Sequence, residues 1–248
     1  MNRLCWRLGY GPLLVAAVCH SSLAQAETVG GAPLIPEPMV FDMIRPLAAP
    51  RGELEVNTLA LFPIRARGEE IEWAPEIEYA FADGHAIEFE LPFEGGRLDS
   101  IKLGLQGTFG TLAKNRFIHG WQYLGEADAT TGRIETTFLY LAGVRYSERW
   151  STLSMVGFNL PNEERAPGER RDDAFLFNQS IFRDISKDTI AGLELNLRAG
   201  RVGTAWRLTP QFHQRLSHSV MLQAGVGVKK PADRSAFATS AVRLIKEF

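Results

Sequence analysis

Cysteine is nearly missing from this chain. Cys5 and Cys19 are the only two among 248 residues. Both lie before Glu27, so a chain cut after Ala26 would hold no disulfide and no thiol chemistry. Net charge is almost absent as well. It is -2 over the whole sequence, and -4 once Arg3 and Arg7 leave with a leader. That excludes the basic footprint of nucleic-acid binding. No apolar run of about 18 residues follows the leader, which excludes a transmembrane helix. A mean hydropathy of -0.10 agrees. It says nothing against a membrane barrel, whose apolar residues hide in alternation. Histidine is scarce too: beyond residue 26 only His85, His119, His213 and His218 occur. No two of them share a strand face at metal-ligand spacing, so no metal or cofactor is expected.

The first 26 residues read as a secretory signal. Arg3 and Arg7 form its charged region, 13–18 its apolar one, and Ala24-Gln25-Ala26 a small-x-small cleavage site. Val18 before Cys19 is too bulky for a good lipoprotein signal. Residues 27–51 carry Pro33, Pro36, Pro38, Pro46 and Pro50 without a clean period. They read as an arm that hangs free, plugs a lumen or covers an edge. Residues 52–248 read as one β domain.

That domain is organised around residues 71–93. Ile71, Trp73, Ile77, Tyr79 and Phe81 share one face, with Glu72, Glu76 and Glu78 on the other. After Asp83-Gly84, His85, Ile87, Phe89 and Leu91 alternate with Glu88 and Glu90. A period of two means strand. A three-residue loop, Ala82-Asp83-Gly84, predicts pairing of Phe81 with His85, Tyr79 with Ile87, Ile77 with Phe89, Glu78 with Glu88 and Glu76 with Glu90. Alternating segments then recur to the C-terminus. Turns are expected near Gly110, at Ser147-Glu148-Arg149 (setting Tyr146 against Trp150 and Phe138 against Phe158), at 184–188, and at Ser217-His218-Ser219 (setting Leu216 against Val220). Longer, more charged links fall at 63–70, 125–132, 161–172 and 230–235.

About twelve such segments, each near the 9–11 residues that cross a bilayer at a tilt, predict an all-β, antiparallel up-and-down barrel in the outer membrane. The C-terminal Phe248, with Val242 and Leu244, fits a barrel-assembly signal, which makes the assembly machinery an expected partner alongside outer-membrane lipid. Lys246 departs from that pattern. A secreted or periplasmic sandwich or lipocalin-like barrel is the fold-level alternative. Trp73, Tyr79, Trp121, Tyr140, Tyr146, Trp150 and Trp206 are placed for an aromatic girdle, although β-propensity alone enriches aromatics. Pro75, Pro92 and Pro210 predict bulges or strand ends.

The inward face predicted by this register holds Glu76, Glu78, Glu88 and Glu90, with Glu72 beside them. Lys102, Arg145, Arg198, Arg207, Arg215 and Arg243 face in from other strands, with His213. Opposed acids need hydration or bases across the lumen. The set is either a charged constriction that selects small-molecule solutes or a salt-bridge network filling a closed barrel. Gly104, Gly143, Gly157, Gly225 and Gly227 also face in and leave room near the wall. Adjacent Ser and His at 217–219 point to opposite faces of a turn, so no catalytic residue is assigned and no enzyme is expected.

The segment from Trp73-Ala74-Pro75-Glu76-Ile77-Glu78-Tyr79 through Asp83-Gly84 to Glu88-Phe89-Glu90-Leu91-Pro92, followed by Lys102-Leu103-Gly104, resembles the MetA-pathway phenol-degradation and transporter-like outer-membrane barrels. The resemblance implies passive passage of small, often hydrophobic compounds and carries no catalytic residues. The alternatives are a closed structural or binding barrel and a membrane-embedded lipid-modifying enzyme.

Overall fold

A computed structural model describes residues 29–41, 43–66, 68–162 and 173–248. The leader with both cysteines, and most of the link at 161–172, lie outside these residues.

The alternation builds strands β1 (Leu54–Ile64), β2 (Glu72–Ala82), β3 (His85–Glu90), the two-residue strands β4 (Phe93–Glu94) and β5 (Arg97–Leu98), then β6 (Ser100–Leu112), β7 (Phe117–Asp128), β8 (Ile134–Arg145), β9 (Trp150–Pro161), β10 (Ala174–Asp184), β11 (Thr189–Gly200), β12 (Gly203–Ser217), β13 (Val220–Lys230) and β14 (Phe237–Glu247). Each long strand pairs antiparallel with its sequence neighbour. β1 pairs with β14 from Glu55↔Glu247 to Ile64↔Ala238, which closes the sheet. The result is an up-and-down barrel of twelve long strands, with β4 and β5 a small hairpin interposed before β6.

The central hairpin has the predicted register: Glu76↔Glu90, Ile77↔Phe89, Glu78↔Glu88 and Tyr79↔Ile87. Its tip differs. Ala82 pairs with His85, so Phe81 is the bulged residue and the turn is the two-residue Asp83-Gly84, with Gly84 at φ 69°. A bulge lets the strand end on a tight turn without disturbing the pairs below it. Ser217 likewise takes Val220 where Leu216 was expected, with the ladder shifting between Arg215 and Ser217. The Phe138↔Phe158 pair is present, and the Tyr146 amide donates to the Trp150 carbonyl. The turn expected near Gly110 lies beyond Leu112, because Gly110 sits inside β6 just past a bulge. Pro210 stands where the β12–β13 ladder is interrupted, and Pro92 falls between β3 and β4.

The end carrying the short turns is sewn together by backbone bonds between neighbouring turns: Thr108 to Gly84, Arg145 to Arg116, Asp184 to Arg149, Arg215 to Asp188, Glu247 to Ser219, and Phe248 to Leu54. The opposite end carries most of the longer links, although β11 and β12 are joined there by Arg201-Val202 alone.

The outward face is an apolar belt. Ile77, Ile87, Phe89, Leu103, Phe138, Phe158, Leu193 and Leu244 are all exposed. His119 belongs to that face as packing: its Nδ1 lies 3.0 Å from the Tyr140 hydroxyl, and its ring meets Phe109 and Phe117. Trp73 stacks on Phe93 at 4.2 Å between ring centroids. A belt of this kind on a closed barrel suits lipid and not water. Leu103→Lys, outward on β6, is expected to cost up to about 2–4 kcal/mol in urea titrations from lipid vesicles. The neighbouring lysine at 102, which faces inward, marks the face that tolerates charge.

Candidate functional site

The barrel encloses its own N-terminal arm. Residue 29 lies against residue 48 through the Val29 amide and the Ala48 carbonyl, and Gly84 of the β2–β3 turn donates to Ala49. Both ends of the loop therefore sit at the short-turn end. Between them the chain rises into the lumen and returns. Ile35, Met39, Met43, Ile44, Leu47, Ala48 and Ala49 are buried there, with Glu37 and Arg45. Of the three placements open to the arm, the structure has the plug.

The lumen wall has two chemically different sides, and the arm meets both. On β7–β10 the inward residues Ile118, Leu139, Leu141, Leu153, Met155, Leu176 and Phe182 form one apolar cluster with Ala32, Ile35, Met43 and Leu47 of the arm. Glycines in the wall supply sockets. A Cβ at Gly143 would lie 2.7 Å from Ile35, one at Gly104 2.6 Å from Ile44, one at Gly120 2.7 Å from Leu47, and one at Gly225 2.7 Å from Met39. Side chains of this size gain roughly 1.5–3 kcal/mol each on burial. Ordering a residue costs about 1–2 kcal/mol. Apolar contact alone therefore does not hold so long an irregular segment, and polar anchors are needed.

Those anchors are on the other side, formed by β1–β3 and β11–β14. Fully buried Glu194 of β11 accepts the backbone amides of Met39 at 2.9 Å, Val40 at 3.1 Å and Phe41 at 2.7 Å. Asn196 steadies the same carboxylate at 2.9 Å. Three amides converge on one carboxylate, a class of acceptor whose hydrogen bonds are about twice as strong as those between neutral groups. Arg45 of the arm pairs with Glu53 at 2.8 Å and with Glu55, and reaches Glu78 at 3.9 Å. Its carbonyl accepts from Gln106. Arg243 of β14 pairs with Glu76 at 2.6 Å and Glu78 at 3.2 Å, lies 3.8 Å from Glu37, and donates to Asn57 at 3.0 Å. Asn57 in turn donates to Glu55 and Glu78 at 2.9 Å each.

Among the expected lumen residues, Glu76, Glu78, Glu88, Glu90, Arg207, His213 and Arg243 are buried inside the barrel. Lys102 pairs with Glu90 across β3 and β6. Two others sit elsewhere. Arg145 is ion-paired with Asp184 at 2.8 Å and Arg215 lies 3.8 Å from Glu247, both at the short-turn rim and not at the constriction. Arg207 lies 3.8 Å from Glu72 near the long-loop end, where Lys229 also pairs with Glu72. The cleft there holds about 10 Å³ of free space, roughly one water. His213 Nε2 meets Gln211 at 3.0 Å, and its ring lies 5.9 Å from Phe182. Phe248 is exposed, with Lys246 5.1 Å from its ring.

Arg45, Glu37, Glu55 and Glu194 are the residues that sequence reasoning missed. The apolar half of the wall was missed too, although Leu139 and Leu141 alternate with Phe138 and Tyr140. A strand apolar on both faces needs an apolar partner inside the lumen.

Two outcomes follow from the plug. Gly143→Val fills the Ile35 socket, and is expected to make the arm sensitive to limited proteolysis while the barrel keeps its heat-dependent gel shift. The second concerns pH. Burial, with Glu55 close by, pushes the Glu37 carboxyl from 4.5 up to about 8 against the opposing pull of Arg243 and Arg45. Docked, Glu37 keeps a proton that a released arm gives up. Its contribution to docking is thus complete below 4.5 and lost as pH rises through about 8. Exchange at the Met39–Phe41 amides, corrected for intrinsic rate, should accelerate from about pH 5 to about pH 8 and level off above that in the wild type, and stay flat in Glu37→Gln.

Comparison with known proteins supports the same architecture. The NanC porin superposes with a TM-score of 0.62 at 8% identity, over 78% of this chain and 98% of the porin. The KdgM porin gives 0.60 at 11%, over 78% and 99%. The COG4313 outer membrane channel from Pseudomonas putida F1 gives 0.64 at 12%, over 82% and 97%. At such identities the likeness is one of fold. No curated protein matches the sequence. The sequence matches the HAEPLYID-like family over residues 34–247, and the chain belongs to that family. The MetA-pathway name suggested by the 73–104 segment is not confirmed by the match. The match starts inside the arm, so the plug and the barrel are one family unit.

Proposed function

We propose that this HAEPLYID-like barrel is an outer-membrane channel for small solutes whose lumen is held shut at rest by the N-terminal arm. The observation that carries the reading is the polar anchoring of the plug. Its tip is fixed by one carboxylate, Glu194, and by ion pairs around Arg45 and Arg243. Water or a passing solute can replace such contacts, whereas a core packed only with apolar side chains offers no exchange. The porin-like fold supports the reading, as do the charged residues Glu72, Arg207 and Lys229 toward the long-loop end. In this reading the leader is removed on export, the short turns face the periplasm, the apolar belt meets outer-membrane lipid, and Phe248 engages the assembly machinery. The protein carries no reaction. His213 is occupied with Gln211, and His218 lies on the exposed β12–β13 turn.

A second reading is a closed structural or binding barrel, favoured by how completely the arm occupies the lumen. Planar-bilayer recording of the refolded mature protein separates the two. The wild type should show long closed intervals with brief salt-dependent steps. Glu194→Ala, which frees the Met39–Phe41 amides, should raise the open fraction about tenfold, corresponding to some 1.4 kcal/mol of lost docking. Silence from both proteins, correctly inserted, would overturn the channel and leave the closed barrel.

A further inference from the structure

The arm shows what the lumen is built to hold. Over Met43–Leu47 it presents two chemistries at once. Met43 and Leu47 lie in the apolar cluster with Ile118, Leu141, Leu153 and Met155. Arg45 between them points its guanidinium into the acidic side, among Glu53, Glu55 and Glu78. Fully buried Glu78 uses Oε1 for Asn57 and Arg243, while its Oε2 accepts no hydrogen bond among the described residues and faces Arg45 at 3.9 Å.

The wall alone is strongly unbalanced in charge. Glu55, Glu76, Glu78, Glu88, Glu90 and Glu194 face the middle of the lumen, and the wall's bases there are Arg243 and Lys102. Arg145 and Arg215 are engaged at the short-turn rim, and Arg207 and Arg198, which donates to Asn159 at 3.1 Å, lie toward the long-loop end. Without the arm, the site is an acidic surface facing an apolar one. An anion is repelled there and a neutral body gains only its apolar contact. A cation carrying an apolar group satisfies both sides.

We infer that the mid-lumen site now filled by Met43, Arg45 and Leu47 binds small organic cations with an apolar body, of the aralkylammonium type. Such a solute competes with the plug for the Glu55–Glu78 pocket and the Ile118–Met155 surface. Passage of the solute rests on the channel reading above, but binding does not.

The test uses three probes with one apolar body: phenethylammonium, phenylacetate and 2-phenylethanol. Each is titrated calorimetrically into the full mature protein refolded in detergent, and KCl conductance is recorded in parallel. Phenethylammonium should bind at least about tenfold more tightly than either partner, a difference of about 1.4 kcal/mol. The preference should shrink in Glu55→Gln. Arg45→Ala, which vacates the pocket without removing a wall acid, should bind phenethylammonium more tightly than the wild type. Equal binding of the three probes, or no gain in Arg45→Ala, overturns the inference even when KCl steps are present. Silent bilayers with the ammonium preference intact overturn the channel and support the inference, with the barrel acting as a binder.

Discussion

A backbone amide facing hydrocarbon has no water to bond, so a sheet in a membrane must leave no open edge. Here that requirement is met at one seam, where the first long strand meets the last between Glu55↔Glu247 and Ile64↔Ala238. Once the seam is closed, the alternation along every strand sorts side chains into lipid-facing and enclosed sets. An enclosed set cannot be left to itself. Its polar members need water or partners, and its apolar members need cover. The arm supplies both.

The acids show how closely wall and arm depend on each other. Glu76 stands opposite Glu90, and Glu78 opposite Glu88, in the ladder. Like charges directly opposed destabilise a strand pair. The arrangement persists because Arg243 enters from β14, Lys102 from β6 and Arg45 from the arm. Removing one partner of such a buried network costs about 3–5 kcal/mol, far more than the net worth of the pairs. The network therefore speaks for a specific arrangement more than for stability.

Strand type and register were legible because a one-residue slip would turn every glutamate of β2 and β3 into lipid. Turn tips were not, since the bulges at Phe81 and Leu216 change one pair and leave the alternation below untouched. The inward placement of Glu76, Glu78, Glu88, Glu90 and Arg243 could be read, but not their partners, because the partners come from distant parts of the chain. The Met39 amide and Glu194 are 155 residues apart. The arm has no period for a pattern to reveal, as it is shaped by the cavity around it and not by a repeating neighbour.

The arm leaves the lumen at the end where it enters. Val29 lies beside Ala48, and the chain passes directly from there into β1. It is a loop pushed into a cup, not a string drawn through a ring. The barrel can thus complete its seam first and receive the loop afterwards, and the loop can withdraw with no strand pair broken. The entanglement that chains generally avoid never arises. This topology allows assembly in the membrane and filling of the interior to be separate events in time, the second reversible without the first.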